Sequence, residues 1–182
     1  MSVFIAPWFV FVAGLLISVL LDHHPMRRSG PRVVELALLW AMVMVAIGGF
    51  VGALGHLGPA SIDVAESIGY APGMFQWEVA FADLAFGALA LLAIRFRDRW
   101  LTAAVVGVSI FYLGAAAGHL VEMSGGNMHV GNVWALPSDV GIPVLAIVLL
   151  VVYRRGLGRL PSTPKYGVVG APGTPNTIPK AG

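Results

Sequence analysis

The sequence predicts an all-α fold: an integral membrane bundle of five transmembrane helices, with the N-terminus outside and the C-terminus in the cytoplasm. Three observations predict it. First, 58% of the 182 residues are hydrophobic and only 11% are charged, where soluble domains carry about 25% charge. Second, apolar runs long enough to cross about 30 Å of hydrocarbon recur along the whole chain. Third, all eleven Lys and Arg residues fall in connections on one side of such a bundle, as the positive-inside rule requires of cytoplasmic segments.

The first span is the uncharged run Val3–Leu21. Its charges follow it, as His23-His24-Pro25-Met26-Arg27-Arg28, the reverse of a signal peptide's order, so it reads as a retained helix. The second span covers about Val34–His56 and carries Gly48, Gly49, Gly52 and Gly55, which let neighbouring helices approach closely. Leu57–Gln76 is polar by the standards of this chain and holds the turn signal Ala71-Pro72-Gly73, so it is expected to be a loop with a short interfacial helix over Ile62–Ile68. The third span, about Phe75–Ile94, ends at Arg95-Phe96-Arg97-Asp98-Arg99, and a tight turn leads to the fourth, about Trp100–Met123. After the Gly/Asn-rich stretch Ser124–Asn132, the fifth occupies about Trp134–Tyr153 and contains Pro137 and Pro143. Trp77, Trp100, Trp134 and Tyr153 fall at the expected interfaces.

The chain thus divides into a transmembrane bundle over 1–157 and a Pro/Gly-rich tail over 158–182, expected to be disordered and cytoplasmic because it has too few apolar residues to bury. Sorted by connection, Arg27, Arg28 and Arg32 follow span one, Arg95, Arg97 and Arg99 follow span three, and Arg154, Arg155, Arg159, Lys165 and Lys180 follow span five. The other connections carry no Lys or Arg.

The chain has no cysteine, which excludes disulfides, thiolate metal sites and cysteine nucleophiles. Its basic residues cluster beside apolar helices rather than along one polar face, so the lipid bilayer explains them and a nucleic-acid partner does not. No Walker-type loop or Ser-His-Asp candidate set is present.

The polar residues that remain inside or near the spans are His56, Glu78, Asp83, His119 and Glu122, the candidate cluster. At about 1.5 Å per residue, His119 stands ~28 Å above Trp100 and His56 ~33 Å above Val34, both near the outer interface. Glu78 and Asp83 lie ~25 Å and ~18 Å above Arg95, which places Asp83 close to mid-membrane. An aspartate at a helix centre costs about 2.5–3.5 kcal/mol on insertion scales, so Asp83 must face protein or water. Ala80, Gly87 and Ala90 share its face. It is either a neutral, hydrogen-bonded packing residue or a proton or ligand site.

His119 and Glu122 share a helix face, and with His56 and Glu78 they supply two imidazoles and two carboxylates at similar depth, a donor set suited to a divalent metal such as zinc, iron or manganese. One histidine per helix is also how haem is held, and a quinone is a third candidate cofactor. Against these stands a pair of interfacial histidines bound only to backbone or headgroups. Spans two, three and four are expected to pack through Gly48, Gly52, Gly87, Gly114 and Gly118, bringing His119 beside Glu78. Ala53-Leu54-Gly55-His56-Leu57 and Ala116-Ala117-Gly118-His119-Leu120 also read as an internal repeat, since each outward helix is followed by a loop and an inward helix opening with a carboxylate, Glu78 or Asp139.

Ser67-Ile68-Gly69-Tyr70, the segment Phe75–Gly87 and Gly114-Ala115-Ala116-Ala117-Gly118-His119 with Glu122 resemble an uncharacterised family of small bacterial integral membrane proteins over roughly residues 40–150. In that family an amide commonly stands at the position of Asp83, which implies that Glu78 and His119 matter more. The loop, glutamate and small-residue helix are more distantly similar to the DoxX-like four-helix membrane proteins, some of which resemble quinone-linked oxidoreductase subunits.

Three function classes follow: an accessory or scaffolding subunit partnered with other membrane subunits or with itself, a metal-, haem- or quinone-binding oxidoreductase component, and a small proton-coupled transporter. The small size and glycine faces favour the first. The expected location is the bacterial plasma (inner) membrane.

Overall fold

Helices α1 (Ser2–Leu21), α2 (Gly30–Leu57), the two-turn α3 (Ser61–Ser67), and then α4 (Phe75–Arg95), α5 (Arg99–Ser124) and α6 (Val130–Leu157) make up the computed structural model, which describes residues 2–97 and 99–157. Among the described residues the protein is all-α, and four helices, α2, α4, α5 and α6, are long and apolar enough to cross a membrane. The apolar stretch of α1, Ile5–Leu21, is shorter. The chain is a multi-pass membrane protein on this evidence. The expected tail over 158–182, with Arg159, Lys165 and Lys180, and Asp98 of the tight turn lie outside the described residues.

The helix boundaries follow local chemistry. Ser29 is extended (φ −73°, ψ 145°) and Pro31 occupies the first turn of α2, where its missing N–H costs nothing. That helix stops where the Gly58 N–H closes back on the Leu54 carbonyl at 2.8 Å. Pro72 and Gly73 separate α3 from α4, and the buried Gln76 ties the two together, accepting from the Gly73 N–H at 3.2 Å and donating to the Ser61 carbonyl. Pro137 and Pro143 sit inside α6. Pro143 has no N–H to offer the Asp139 carbonyl four residues earlier, so a backbone acceptor is released within the span.

Helices α2, α4, α5 and α6 form a closed ring in which each packs on the next, and α1 lies outside it against α2 and α6. The α2–α4 crossing is the closest. A Cβ built on Gly49 would stand 2.5 Å from the Asp83 carbonyl oxygen and 3.0 Å from the Gly87 Cα, so only glycine lets the two backbones meet there. Two Trp–Ser bonds fasten α1: Trp8 Nε1 donates to Ser138 Oγ of α6 at 3.2 Å, and Trp40 Nε1 of α2 donates to Ser18 Oγ at 2.8 Å. Each indole lies over a glycine of the facing helix, Trp8 over Gly141 and Trp40 over Gly14.

The two ends of the bundle differ in charge. At one end Asp22 meets Arg32 at 2.7 Å, Arg32 meets Glu35 at 2.8 Å, and Glu35 meets Arg97 at 2.7 Å, joining the α1–α2 and α4–α5 connections. The Arg32 hydrogen bonds hold the Asp22 carboxyl down at about 2, against an ordinary value of 3.8. Arg154 joins this arginine end through a 2.7 Å bond to Thr102 Oγ1. Between the ends lies an apolar core that includes Leu38, Met42, Leu101, Val105 and Val108. The opposite end is closed by α3, whose Ile68 carbonyl accepts from Asn127 Nδ2 at 3.0 Å and Asn132 Nδ2 at 3.2 Å. Gly69 makes this seat accessible: it adopts φ +78°, a conformation costly to other residues, and a Cβ there would strike the Asn127 amide at 2.8 Å.

Candidate functional site

Gly48, Gly52 and His56 recur every four residues on α2 and so share a face. A Cβ on Gly48 would meet the Tyr112 hydroxyl of α5 at 3.5 Å, and one on Gly52 would fall on the Asp83 carboxylate of α4. The phenol and the carboxylate therefore rest against adjacent turns of α2, about 6 Å apart along its axis. The absence of side chains at Gly48 and Gly52 makes the space these polar groups occupy.

Asp139 arrives from α6 and completes the group, its Oδ2 lying 3.5 Å from His119 Nε2 of α5, with only 19% of the histidine and 13% of the aspartate side chain exposed. Asp83, Asp139 and Tyr112 stand within electrostatic reach of one another. Four helices thus converge on two carboxyls, a phenol and an imidazole, all within the spans.

From His119 a chain of hydrogen bonds runs to the α3 end. His119 Nδ1 lies 2.8 Å from Asn132 Oδ1, and the fully buried Asn132 donates through Nδ2 to the carbonyls of Ile68 and Asn127. Asn127 Nδ2 donates in turn to Glu122 Oε2 at 2.9 Å. Beside Glu122, the Tyr70 hydroxyl loses its proton less easily, by burial first and by that neighbouring carboxylate second, which raises Tyr70 above its ordinary value of 10.0. On the other side of Tyr112, one turn away, Ser109 is 5% exposed and its Oγ has no partner among the described residues.

The five residues of the expected cluster separate. Asp83 and His119 join the partly buried group, while Glu122 belongs to the hydrogen-bonded chain leading out of it. The expected His119–Glu78 pairing is replaced: His119 takes Asn132 and Asp139, and Glu78 is exposed, its side chain making no hydrogen bond or ion pair among the described residues. The physical reason is helix rotation, since Glu78 lies five residues from Asp83, nearly half a turn round the helix, and so leaves the face that Asp83 presents. His56 is half-buried with an unpartnered Nδ1. The repeat is accordingly not reflected in pairing, because His119 meets its downstream carboxylate and His56 does not. Among the described residues no three His, Asp or Glu side chains are placed to hold a metal ion. Of the packing glycines, Gly52 and Gly87 make close contacts and Gly48 an ordinary one, whereas a Cβ on Gly114 or Gly118 would meet nothing within 4 Å.

Asp139, Asn132 and Tyr112 are the residues that sequence reasoning undervalued. A signal was present: Tyr112 and His119 on α5, and Asn132 and Asp139 on α6, are each seven residues apart and thus two turns along one face.

A family model described as "Family of unknown function (DUF6790)" matches residues 1–159. No curated protein and no solved structure matches the chain. The expected place in an uncharacterised family holds at that level, and nothing in these comparisons extends to a bacterial source or to the DoxX-like proteins.

Proposed function

Because the chain belongs to DUF6790, a family of unknown function, its activity has to be argued from its own residues, and we propose that it is a proton-coupled membrane carrier whose proton site is the Asp83–Tyr112–Asp139–His119 group. The observation that carries this reading is the Asp139–His119 pair at 3.5 Å, on facing helices inside the spans, with Asp83 in electrostatic reach of Asp139. Two carboxylates held in hydrocarbon without a counter-charge would cost several kcal/mol, so the group takes up protons in place of bare charge. Ionisable residues grouped in this way within spans are typical of proton pathways.

Access is one-sided. Polar residues connect the group to the α3 end, while Leu38, Met42, Leu101, Val105 and Val108 fill the bundle towards the arginine end. The positive-inside rule makes the arginine end cytoplasmic, so the site loads from outside, in a bacterial plasma membrane with five spans and an external N-terminus. The carbonyl released by Pro143 adds a polar backbone atom at the level of Asp139, as in the broken helices of carriers. An accessory-subunit role rests on size and glycine faces that any small bundle shares and does not account for the acids. A metal centre built on His56, Glu78, His119 and Glu122 is not favoured, since among the described residues no three His, Asp or Glu side chains are grouped to hold an ion.

The test is pre-steady-state charge movement. Proteoliposomes on a solid-supported membrane, given an acid jump on the α3 side, should produce a transient current as protons enter the membrane field. The current should vanish in the double variant Asp83→Asn/Asp139→Asn, provided that variant elutes as the same monodisperse species. A silent wild type, or an unchanged current in the double variant, would overturn the reading.

A further inference from the structure

We infer that Asn132 is a positioning residue that fixes His119 as the Nδ1–H tautomer, leaving Nε2 as the atom that shares a proton with Asp139. This rests on the proton-site reading above and deepens it by assigning the proton to one pair of atoms.

Asn132 is 0% exposed, so water cannot satisfy it. Its two N–H bonds have two takers, the Ile68 carbonyl at 3.2 Å and the Asn127 carbonyl at 3.1 Å, and a carbonyl can only accept. Turning the amide over would set its oxygen against both of those oxygens, so the orientation is determined by the network itself. Oδ1 must then face His119 Nδ1 at 2.8 Å, and because Oδ1 can only accept, Nδ1 must carry a hydrogen. A neutral imidazole has one N–H, which leaves a lone pair on Nε2.

Asp139 Oδ2 lies 3.5 Å from that nitrogen. An ionised carboxylate facing a lone pair is repulsive, so the contact is stable only when a proton lies between them, either on Asp139 as a carboxylic acid or on Nε2 as an imidazolium. The opposite tautomer would donate from Nε2 to a carboxylate with no further proton. Asn132 therefore makes the His119–Asp139 contact one that favours an added proton. The other titratable groups in electrostatic reach of Asp139 are Asp83 from α4 and Tyr112 from α5, and Glu122 of α5 is linked to Asn132 through Asn127. None of them touches Nδ1. The same amide is bound to the carbonyl of Ile68, which caps the C-terminus of α3.

The inference is tested by 15N solid-state NMR of lipid-reconstituted, histidine-labelled protein, with His119 assigned by His119→Gln. At a pH where His119 is neutral, wild type should show Nδ1 in the protonated range and Nε2 in the unprotonated range. Asn132→Leu and Asn132→Asp both lose the two bonds to the Ile68 and Asn127 carbonyls, but only the aspartate keeps an acceptor for Nδ1–H. Asn132→Leu should therefore yield mixed tautomers and Asn132→Asp a single Nδ1–H form. Identical tautomer populations in the two variants would show that Asn132 acts only as a structural clasp. A wild-type Nε2–H signal would overturn the inference without touching the charge-movement result, and a silent charge-movement assay would sink the carrier reading while leaving the tautomer measurement standing.

Discussion

Replacing Gly49 with alanine tests the packing that places Asp83. The new methyl carbon would lie 2.5 Å from the Asp83 carbonyl oxygen, 3.0 Å from the Gly87 Cα and 3.1 Å from the Gly87 nitrogen. All three are backbone atoms of α4 and cannot rotate aside, so reaching an ordinary separation of about 3.5 Å forces the helices apart by on the order of 0.5–1 Å. Overpacking of this kind costs about 1–3 kcal/mol, while alanine returns about 0.8–1 kcal/mol of helix propensity. Gly118→Ala is the matched control, since its methyl meets nothing within 4 Å and gains the same propensity. The propensity terms cancel in the comparison, leaving Gly49→Ala less stable than Gly118→Ala by about 1–3 kcal/mol, or roughly 2–10 °C in the thermal midpoint of the detergent-solubilised protein. Equal midpoints would refute the claim that the α2–α4 contact is limited by backbone approach.

Orientation is open to thiol labelling because the chain has no cysteine of its own. Cysteines at Asp63 and Ser124 should react with an impermeant reagent from outside and one at Arg27 should not. The arginine end should also resist acid: with Asp22 lowered from 3.8 to about 2, the stability it contributes is complete above pH 3.8 and is lost as pH falls through about 2. Asp22→Asn should accordingly destabilise the protein at pH 7, and that difference should persist to about pH 4 and shrink below it, as followed by thermal midpoints across pH.

Helix positions were legible because length and hydropathy dominate in hydrocarbon, where the backbone must satisfy itself. The short helix expected over Ile62–Ile68 appears at Ser61–Ser67, and the start of α4 at Phe75 was read directly. Depth along a helix was equally readable, since rise per residue is fixed. Rotation and partner choice were less so. Glu78 and His119 share a depth in the sequence although Glu78 faces away from the site, and Asp139 reads there as the mark of a helix opening although its carboxylate lies 3.5 Å from His119. Glu35 escaped notice because it lies at the start of an apolar run, and its link to Arg97 depends on which helices become neighbours. The glycines show the same division. Gly52, Gly87 and Gly118 look alike in sequence, yet the first two face a backbone or a carboxylate and the third faces open space, which only the ring order of α2, α4, α5 and α6 decides.

Difference infrared spectroscopy of the membrane-reconstituted protein tests the proton site most directly, because a protonated carboxyl buried in hydrocarbon has a C=O stretch separate from that of ionised carboxylates. The account expects such a band at neutral pH, shifted in deuterated buffer applied at the α3 end, and lost in Asp83→Asn/Asp139→Asn. Absence of the band in wild type, or its persistence in that double variant, would contradict it.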